Sequence, residues 1–381
     1  MRKKYCIFSA QYFPHLGGVE RYTYNLARFL EKRGNEVVIV TSNGQNLPAC
    51  EWMEGIKVYR VPCWNLLAGR YPFLKPNKEF RKIDRILMRT KFDMVIVNTR
   101  FYPHSVYGAY LARRQKAKCI MIEHGTGHMT VHNKIADAAE QVIEHGLTLV
   151  DRVLCREYYG VSLACVEWLK HFHITGKGAL YNAIDLGSIE KIREQAQRDF
   201  REEYRIPEEA VVIAYTGRLL KEKGIYQMID AVKKIRRKDE KVYLLMAGDG
   251  DEEKGVQAKT DKGIIALGRL EFADVIALLD TSDIFCLPSD SEGFSTSLLE
   301  AAACGCYIVT TERGGAKELI LNDEYGMVMK DNRPETVLQA LSSVLSQKNM
   351  RERAVEKTYQ RLKDNFIWEK TAEKVEQIAD R

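Results

Sequence analysis

Short apolar runs alternate with helix-like patterns along the whole chain of 381 residues. Each run is apolar on both faces and is bounded by turn residues, which is typical of strands in a parallel sheet covered by helices on both sides. The predicted strands are Tyr5–Ser9, Val37–Thr41, Met94–Asn98, Cys119–Glu123 and Val153–Cys155, followed by Val211–Tyr215, Val242–Ala247, Ile264–Leu267, Ile284–Leu287 and Tyr307–Thr311. This pattern predicts an α/β fold with two doubly wound, Rossmann-like domains.

Two domains are also expected from the length, because a domain typically holds about 150 residues. The seam is predicted near residues 175–205, where glycines allow a flexible turn and a helix predicted around Ile189–Tyr204 has few apolar residues to bury. We assign residues 1–180 to the first domain, 181–205 to a linker and 206–355 to the second domain. The tail, residues 356–381, has a helical pattern around Trp368, and we expect it to reach back to the first domain.

The composition is that of an ordinary globular protein, with 45% hydrophobic and 29% charged residues. No apolar run approaches the roughly 20 residues that a membrane span needs, and the first residues do not form a signal peptide. The nine cysteines are scattered without a CxxC pair, so we expect buried, reduced thiols and neither disulfides nor a zinc site. These features predict a cytosolic protein.

The net charge of +6 is divided unevenly, with +12 over residues 1–180 and −6 over residues 181–381. Residues 64–91 hold eight basic residues against two acidic ones, together with aromatic residues such as Trp64 and Phe73. Basic residues interleaved with aromatic ones favour contact with an anionic membrane surface or an anionic chain, and a solvated helix face is the alternative. No helix-turn-helix, RNA-recognition or zinc-finger signature accompanies the charge, which argues against a nucleic-acid partner.

Two motifs of the first half follow predicted strands at their carboxyl ends, where open α/β sheets bind ligands. Gly17 and Gly18 open the first long helix, so they form either a structural turn or a place where free amides meet an anion. This is not the GxGxxG fingerprint of dinucleotide-binding proteins. His124 ends the fourth strand and can act as an acid, a base or a hydrogen-bond donor. His128 and His132 follow at spacings that allow a metal site, although two glycines interrupt any helix through the first pair.

The second half carries a possible diphosphate clamp and a pair of carboxylates. Arg218 and Lys223 lie at a strand-to-helix turn, where a guanidinium and an ammonium can hold a diphosphate and stabilise charge on a leaving group. Glu292 lies in a loop and Glu300 in an otherwise apolar helix, so they can bind hydroxyls at opposite ends of one long ligand. Asp249-Gly250-Asp251 matches a DxD metal pattern, but the acids that follow favour a solvated loop.

Together these residues resemble the retaining GT-B glycosyltransferases of the group 1 family, with relatives among the mannosyl-, galactosyl- and N-acetylglucosaminyltransferases of bacterial polysaccharide assembly. The resemblance spans nearly the whole chain, and its most specific part is a pair of glutamates separated by seven residues, Glu292 and Glu300. The other matching segments are Gly17–Glu20, Asn182–Asp185, Gly217–Gly224, Ala247–Gly250, Gly314–Gly315 with Glu318, and the region of Trp368. The resemblance implies the GT-B architecture, in which two Rossmann-like domains face a central cleft.

By that resemblance, the donor would be a nucleotide-diphosphate sugar of the UDP or GDP type. Gly17 and Gly18 would pack against its diphosphate. Arg218 and Lys223 would hold the diphosphate in place of a divalent cation, so neither a metal nor another cofactor is expected.

The same resemblance implies contacts to the sugar, the nucleoside and the acceptor. Glu292 would bind sugar hydroxyls and Glu300 the ribose hydroxyls. Backbone contacts would come from Arg269 and Leu270 at the base, and from Gly293, Phe294 and Ser295 at the sugar and phosphate. His124 would line the acceptor side, although this chain has Gly125 where the family often has Asp.

The implied activity is the retaining transfer of a hexose-type sugar to a hydroxyl of a glycan or a lipid-linked glycan. Its catalytic residues would be His124, Arg218, Lys223 and Glu292, with domain closure at the linker excluding water. A donor phosphate oxygen would take the acceptor proton in a front-face attack. Two alternatives share the fold: a nucleotide-sugar 2-epimerase, which needs no acceptor, and a non-catalytic nucleotide-sugar-binding protein. The expected setting is the cytoplasm, with peripheral contact at the inner face of the cell membrane.

Overall fold

The chain packs as two compact units in a computed structural model. The described residues are 2–15, 17–66, 71–128, 133–195 and 198–381. Leu67 and Arg70 of the basic stretch and His132 of the histidine group lie outside these residues. The first unit comprises Met1–Asn182 with Trp368–Arg381, and the second comprises Ala183–Ile367.

The strands of the described residues form two sheets, one in each unit. The first sheet contains β1 Lys4–Phe8, β2 Glu36–Asn43, β3 Cys50–Met53, β4 Ile56–Leu66, β5 Tyr71–Leu74, β6 Met94–Asn98, β7 Lys118–Glu123 and β8 Glu157–Gly160. The second contains β9 Val211–Thr216, β10 Val242–Ala247, β11 Ile264–Gly268, β12 Ile284–Leu287, β13 Tyr307–Thr311 and β14 Met327–Met329. Apart from β3 and β5, which run antiparallel to β4, the paired strands are parallel.

Helices follow most of these strands. In the first unit they are α1 Gly18–Lys32, α2 Lys78–Arg89, α3 Pro103–Gln115, α4 Lys134–Leu154 and α5 Leu163–Trp168. In the second they are α6 Leu186–Arg193, α7 Phe200–Glu203, α8 Ile225–Arg236, α9 Glu253–Gln257, α10 Phe272–Thr281, α11 Thr296–Ala303, α12 Ala316–Leu319, α13 Pro334–Leu345 and α14 Lys348–Asn365. The tail helix, α15 Trp368–Asp380, returns to the first unit.

The first sheet has the strand order β3-β4-β2-β1-β6-β7-β8, with β5 beside β4. Its core combines alternate strand residues such as Phe8 and Val97 with Ile83 of α2 and Leu111 of α3. The tail helix is held by the buried ring of Trp368, which meets Tyr22 of α1 edge-on at a centroid distance of 5.1 Å. Because β1, β6 and β7 are parallel neighbours, the loops after them lie side by side at one edge of the sheet.

The fifth predicted strand, Val153–Cys155, is wrong. Val153 lies in the last turn of α4, and the strand of this region is β8. A short apolar run does not distinguish a helix end from a strand, and here the helix persists because Thr148 and Asp151 are buried one turn apart. The strands β3, β4 and β5 have no counterpart among the predicted ones, since polar residues interrupt their apolar pattern.

The second sheet has the strand order β11-β10-β9-β12-β13-β14. All strands predicted for this half are confirmed to within one residue, and those of the first half, apart from Val153–Cys155, to within two. The helix expected around residues 189–204 is in fact two short helices, α6 and α7. Residue 355, the predicted end of the second domain, lies inside α14, because the helical pattern continues unbroken to Asn365.

Two expectations from composition can also be compared with the structure. In the part of the chain that the structure describes, no helix combines the length and the apolarity needed to cross a membrane. All nine cysteines are free thiols, but Cys50 is exposed, so the expected burial does not hold for every one of them.

The buried residue His104 of α3 makes the stability of the first unit depend on pH. Its Nε2 lies 2.9 Å from the carbonyl oxygen of Val40, and its ring packs against Phe8. Burial lowers the pKa of His104 to about 4. Between about pH 6.5 and pH 4 the unfolded chain therefore binds a proton that the folded chain does not, so this histidine lowers the free energy of unfolding as the pH falls.

We expect His104→Gln to remove about 2 kcal/mol of the change in unfolding free energy between pH 7 and pH 5. Urea unfolding of both proteins at the two pH values measures this difference. His173→Gln, at an exposed position, is the matched control. Equal pH dependence in wild type and His104→Gln would contradict the burial argument.

Candidate functional site

The turn between β1 and α1 is built around Gly17 and Gly18, as predicted. Gly17 is the N-cap of α1, and its amide donates to the Glu20 carboxylate at 2.8 Å. Burial raises the pKa of Glu20, against the lowering effect of that hydrogen bond. A side chain at Gly18 would meet no described atom within 4 Å, and its φ is not in the left-handed region. Packing within the described chain therefore does not require a glycine at this position.

A chain of hydrogen bonds leads from α1 to His124. The Thr23 hydroxyl donates to the carbonyl oxygen of Val19 at 2.8 Å, so its oxygen is left to accept from the Asn98 amide nitrogen at 2.8 Å. This orients the Asn98 carbonyl oxygen toward His124 Nε2, 2.9 Å away. Because that oxygen can only accept, Nε2 carries the proton and Nδ1 of a neutral ring is the acceptor.

Aromatic packing fixes the ring of His124 from another side. Tyr22 meets it edge-on at a centroid distance of 4.9 Å, and Tyr22 itself contacts Trp368 of α15. The Tyr22 hydroxyl donates to the carbonyl oxygen of Leu180 at 2.9 Å. Burial lowers the pKa of His124 to about 3. The imidazole is therefore neutral at physiological pH and acts as a positioned hydrogen-bonding group.

Behind His124 lies a buried ion-pair network that the sequence analysis does not predict. Arg100 places Nη1 3.1 Å from the Glu123 carboxylate and Nη2 2.7 Å from the Glu144 carboxylate. A Glu123 oxygen also accepts from the amides of His124 and Gly125, each at 3.0 Å. The His124 loop is thus anchored to a carboxylate whose partner is a buried guanidinium. The sequence signal for it is an arginine two residues after the carboxyl end of β6.

Among the described histidines of this region, His128 pairs with both Glu144 and His171. His128 Nδ1 lies 2.6 Å from the Glu144 carboxylate, and its Nε2 lies 3.1 Å from His171 Nε2. No three His, Cys, Asp or Glu side chains within the described ranges form a group that could hold a metal ion. The expectation that the protein works without a metal stays a prediction.

In the second unit, close backbone contacts shape the loop that carries Arg218. Gly217 and Gly248 end neighbouring strands with φ values of +151° and +150°. A Cβ at Gly248 would lie 1.8 Å from the carbonyl oxygen of Gly217, so only glycine fits there. The buried Tyr215 hydroxyl donates to the Arg218 carbonyl oxygen at 2.6 Å, and the Arg218 side chain is exposed.

Lys223 and Glu292 are in contact although their positions in the sequence differ by 69. They follow β9 and β12, which are neighbours in the sheet. Lys223 Nζ lies 2.6 Å from the Glu292 carboxylate and 3.4 Å from the carbonyl oxygen of Ser291. Only glycine fits at position 224, which follows Lys223, because its φ is +70° and a Cβ there would lie 2.1 Å from the carbonyl oxygen of Pro288. This close approach brings the turn that carries Lys223 next to the loop after β12.

Glu300 and Phe294 lie on the inner side of the same loop and helix. Glu300 is buried in α11, whose N-cap is Ser295 without a side-chain capping hydrogen bond. Phe294 is buried against Phe366, with a ring-centroid distance of 5.1 Å. The Gly293 carbonyl oxygen accepts from the amide of Gly315 at 2.9 Å, and this hydrogen bond holds the loop between β12 and α11 in place.

At the far edge of the second sheet, Arg269 and Asp249 follow the neighbouring strands β11 and β10. Arg269 Nη1 lies 3.6 Å from the Asp249 carboxylate, and both side chains are largely exposed. Leu270 comes next and is half-buried. The DxD turn therefore supplies one carboxylate to an ion pair with an arginine.

The predicted site residues all follow the carboxyl ends of strands or lie in the next helix. The structure places three of them in the first unit, Gly17, Gly18 and His124. The second unit holds the rest: Arg218, Lys223, Arg269, Leu270, Glu292, Gly293, Phe294, Ser295 and Glu300. Lys223 is brought into direct contact with Glu292. Arg269 follows β11, which is separated from β12 by the two strands β10 and β9.

Comparison with known families gives two matches that together span most of the chain. Residues 196–361 match the family described as Glycosyl transferases group 1. Residues 16–186 match Glycosyltransferase Family 4.

Individual proteins are similar over the full length. An uncharacterized glycosyltransferase of Methanocaldococcus jannaschii is 26% identical over 397 residues, covering 100% of this chain and 99% of its own. A phosphatidylinositol N-acetylglucosaminyltransferase subunit of Arabidopsis thaliana is 24% identical over 388 residues, covering 97% of this chain and 80% of its own. The crystal structure of Anabaena HepE in complex with UDP matches 100% of both chains, with a TM-score of 0.75 and 16% identity. HepE has also been solved in complex with UDP-glucose.

The hydrogen-bond chain through Thr23 and Asn98 predicts one tautomer of His124. We expect Thr23→Val to remove the acceptor that orients the Asn98 amide, so that His124 becomes a mixture of tautomers. Thr23→Ser keeps the hydroxyl and is the matched control. Nitrogen-15 NMR of the imidazole should show protonated Nε2 in wild type and Thr23→Ser, and no titration of the ring above about pH 4. A protonated Nδ1 in the wild type would refute this assignment.

Proposed function

The chain belongs to the glycosyl transferases group 1 family and has the GT-B fold of two Rossmann-like domains, and from this we propose the following reaction. It transfers a hexose-type sugar from a nucleotide-diphosphate sugar of the UDP or GDP type to a hydroxyl of a glycan or lipid-linked glycan, with retention and without a metal. The observation that carries the proposal is the Lys223–Glu292 pair, placed next to the loop that leads to the buried Glu300.

The diphosphate is held by Arg218 and Lys223. Arg218 is exposed after β9, where a planar guanidinium can bind two phosphate oxygens. Lys223 is half-buried, and its contact with Glu292 holds the ammonium in place before an anion arrives. As the bond to the sugar breaks, negative charge grows on the diphosphate, and these two cations stabilise it. This arrangement replaces the divalent cation that would otherwise neutralise the leaving group.

The sugar and the ribose are held by the two glutamates. Glu292 is polarised by Lys223 and presents a carboxylate to sugar hydroxyls, with the backbone of Gly293 beside it. Glu300 lies in α11, and its carboxylate accepts from the ribose hydroxyls. Arg269 and Leu270 supply backbone to the base. HepE, which binds UDP and UDP-glucose, supports a uridine nucleotide as the first donor to test.

The acceptor is bound by the first unit. His124 is neutral, and with Nε2 donating to Asn98 its Nδ1 accepts a hydrogen bond from an acceptor or sugar hydroxyl. The packing of the described residues does not explain why Gly18 lacks a side chain, and in this proposal it leaves room at the start of α1 for the donor diphosphate. Front-face attack then passes the acceptor proton to a donor phosphate oxygen, so His124 positions groups and does not act as the base.

A lipid-linked acceptor is the class we propose within that function. The Arabidopsis relative is named for transfer to phosphatidylinositol. The described part of the basic stretch supports an anionic surface as its setting: α2 buries only Ile83 and Leu87, and Lys78, Arg81, Lys82, Arg85 and Arg89 are not buried.

Donor binding can be tested by titrating UDP-, GDP- and ADP-sugars in the presence of EDTA and following thermal stability. We expect one nucleotide to stabilise the protein without metal. Lys223→Ala and Glu300→Ala should each weaken its binding by about tenfold to a hundredfold, because each removes a charge-assisted hydrogen bond. Lys221→Ala is the matched control, since Lys221 lies in the same turn but is largely exposed and pairs with Glu252.

Two results would change the proposal. A strict need for a divalent cation would remove the metal-free clamp and direct attention to Asp249-Gly250-Asp251. Release of an epimerised sugar, with no product linked to an acceptor, would identify an epimerase.

A further inference from the structure

Helix α4 has its apolar side facing out. Six large apolar residues of this helix are exposed: Ile135, Val142, Ile143, Leu149, Val150 and Val153. The exposed fraction reaches 84% at Ile135, 73% at Val142 and 67% at Val153. Their spacing of three, four or seven residues places them in one stripe along the helix, which we call the α4 stripe. Over the 19 residues from Ile135 to Val153, an α-helix is about 27 Å long.

The polar side of α4 is turned inward because it completes the ion-pair network of the first unit. Glu144 binds both Arg100 and His128, and Thr148 is buried one turn further along. Asp151 is fully buried as well, and burial raises its pKa to about 9. Rotating the helix to bury the α4 stripe would take Glu144 away from the buried Arg100, and the guanidinium would keep only Glu123 of its two carboxylate partners. Removing one partner from such a buried charge network is strongly unfavourable. The outward position of the apolar side is therefore fixed by the interior.

The exposed charged residues of α4 itself are basic. Of the four acidic residues of α4, three are buried and Asp137 is partly buried, so none of them is on the exposed side. Lys134 and Arg152 are exposed at the two ends of the helix. On the neighbouring α3, Arg113 donates to the carbonyl oxygen of Val153 at 3.2 Å. An apolar stripe bordered by cations is complementary to a surface that is apolar inside and anionic outside.

We propose that the α4 stripe is a membrane-contact surface that lies along an anionic lipid bilayer. An amphipathic helix in this position buries its apolar residues about 5–10 Å deep at the boundary of headgroups and acyl chains, with basic residues at the headgroups. Helix α3 connects α4 to the basic helix α2, since it packs against both. The proposal does not depend on the transfer reaction, and it would bring the first unit to the place where a lipid-linked acceptor is found.

A second copy of the chain is the other possible occupant of the α4 stripe. Two such stripes packed together would bring Lys134, Arg152 and Arg113 of both copies close to one another. The exposed side of α4 offers no carboxylate to offset this repulsion. Anionic headgroups provide the missing negative charge, so the charges favour the bilayer.

The experiment is co-sedimentation of the full chain with vesicles of phosphatidylcholine, with and without phosphatidylglycerol. We expect binding to the anionic vesicles, and a decrease of about tenfold or more for the double variant Val142→Gln, Leu149→Gln. The matched control is Trp52→Gln, Leu321→Gln, which changes two exposed apolar residues outside α4 and should bind like the wild type. Lys134→Gln with Arg152→Gln should weaken binding to anionic vesicles by about fivefold per charge.

Three results would overturn the proposal. The first is a wild type that does not bind anionic vesicles, and the second is wild-type binding by Val142→Gln, Leu149→Gln. The third is a wild-type dimer in sedimentation equilibrium that this variant dissociates, which would assign the α4 stripe to a second copy. Circular dichroism and nucleotide-sugar titration on each variant check the fold. They also separate this proposal from the transferase function, because loss of vesicle binding with unchanged donor binding concerns the α4 stripe alone.

Discussion

A buried guanidinium has to be paired, and this requirement organises the first unit. Arg100 is almost completely buried at the end of β6, and it contacts carboxylates from two directions, Glu123 and Glu144. Its guanidinium also stacks on the ring of Phe172, 3.6 Å from the centroid. Removing one partner of such a buried pair costs about 3–5 kcal/mol. The ends of β6 and β7 and the middle of α4 are therefore tied to one side chain.

The two proposals for the first unit both follow from this pairing. Glu123 binds Arg100 and also accepts from the amides of His124 and Gly125, so the loop that carries His124 has little freedom. Glu144 binds Arg100 from α4 and decides which side of that helix faces inward. With the polar side inside, the apolar side has nothing of its own chain to cover it in the described structure. One interior charge thus positions a candidate acceptor-binding group and creates a candidate membrane-contact surface.

The sequence predicts the strands well and the site only in part. Apolar runs such as Met94–Asn98 and Ile284–Leu287 are buried on both faces, so their bounds can be found without the fold. The periodicity of α4 shows that the helix is amphipathic, and the usual expectation from such a pattern is that the apolar side is buried. In the structure the polar side is buried instead, because Glu144 pairs with the buried Arg100. Likewise, the contact of Lys223 with Glu292 depends on β9 and β12 being neighbours, which is a property of the topology. Asn98 orients His124 because its amide nitrogen donates to Thr23 and its carbonyl oxygen faces His124, and the sequence does not show that these three residues are neighbours.

The uneven charge of the chain agrees with two different ways of binding anions. A nucleotide diphosphate is small, and in the proposed function Arg218 and Lys223 reach it directly, within a Debye length of about 8 Å at physiological ionic strength. Binding of the nucleotide therefore does not need a net positive charge on the domain that holds it. The second half of the sequence can carry a net charge of −6 for this reason. A membrane surface is an extended anion, and attraction to it adds up over many separate basic residues. In the proposed membrane contact, the basic residues of α2 and α3 and those at the ends of α4 would supply such an area, and they lie in the half of the chain that carries the excess of +12.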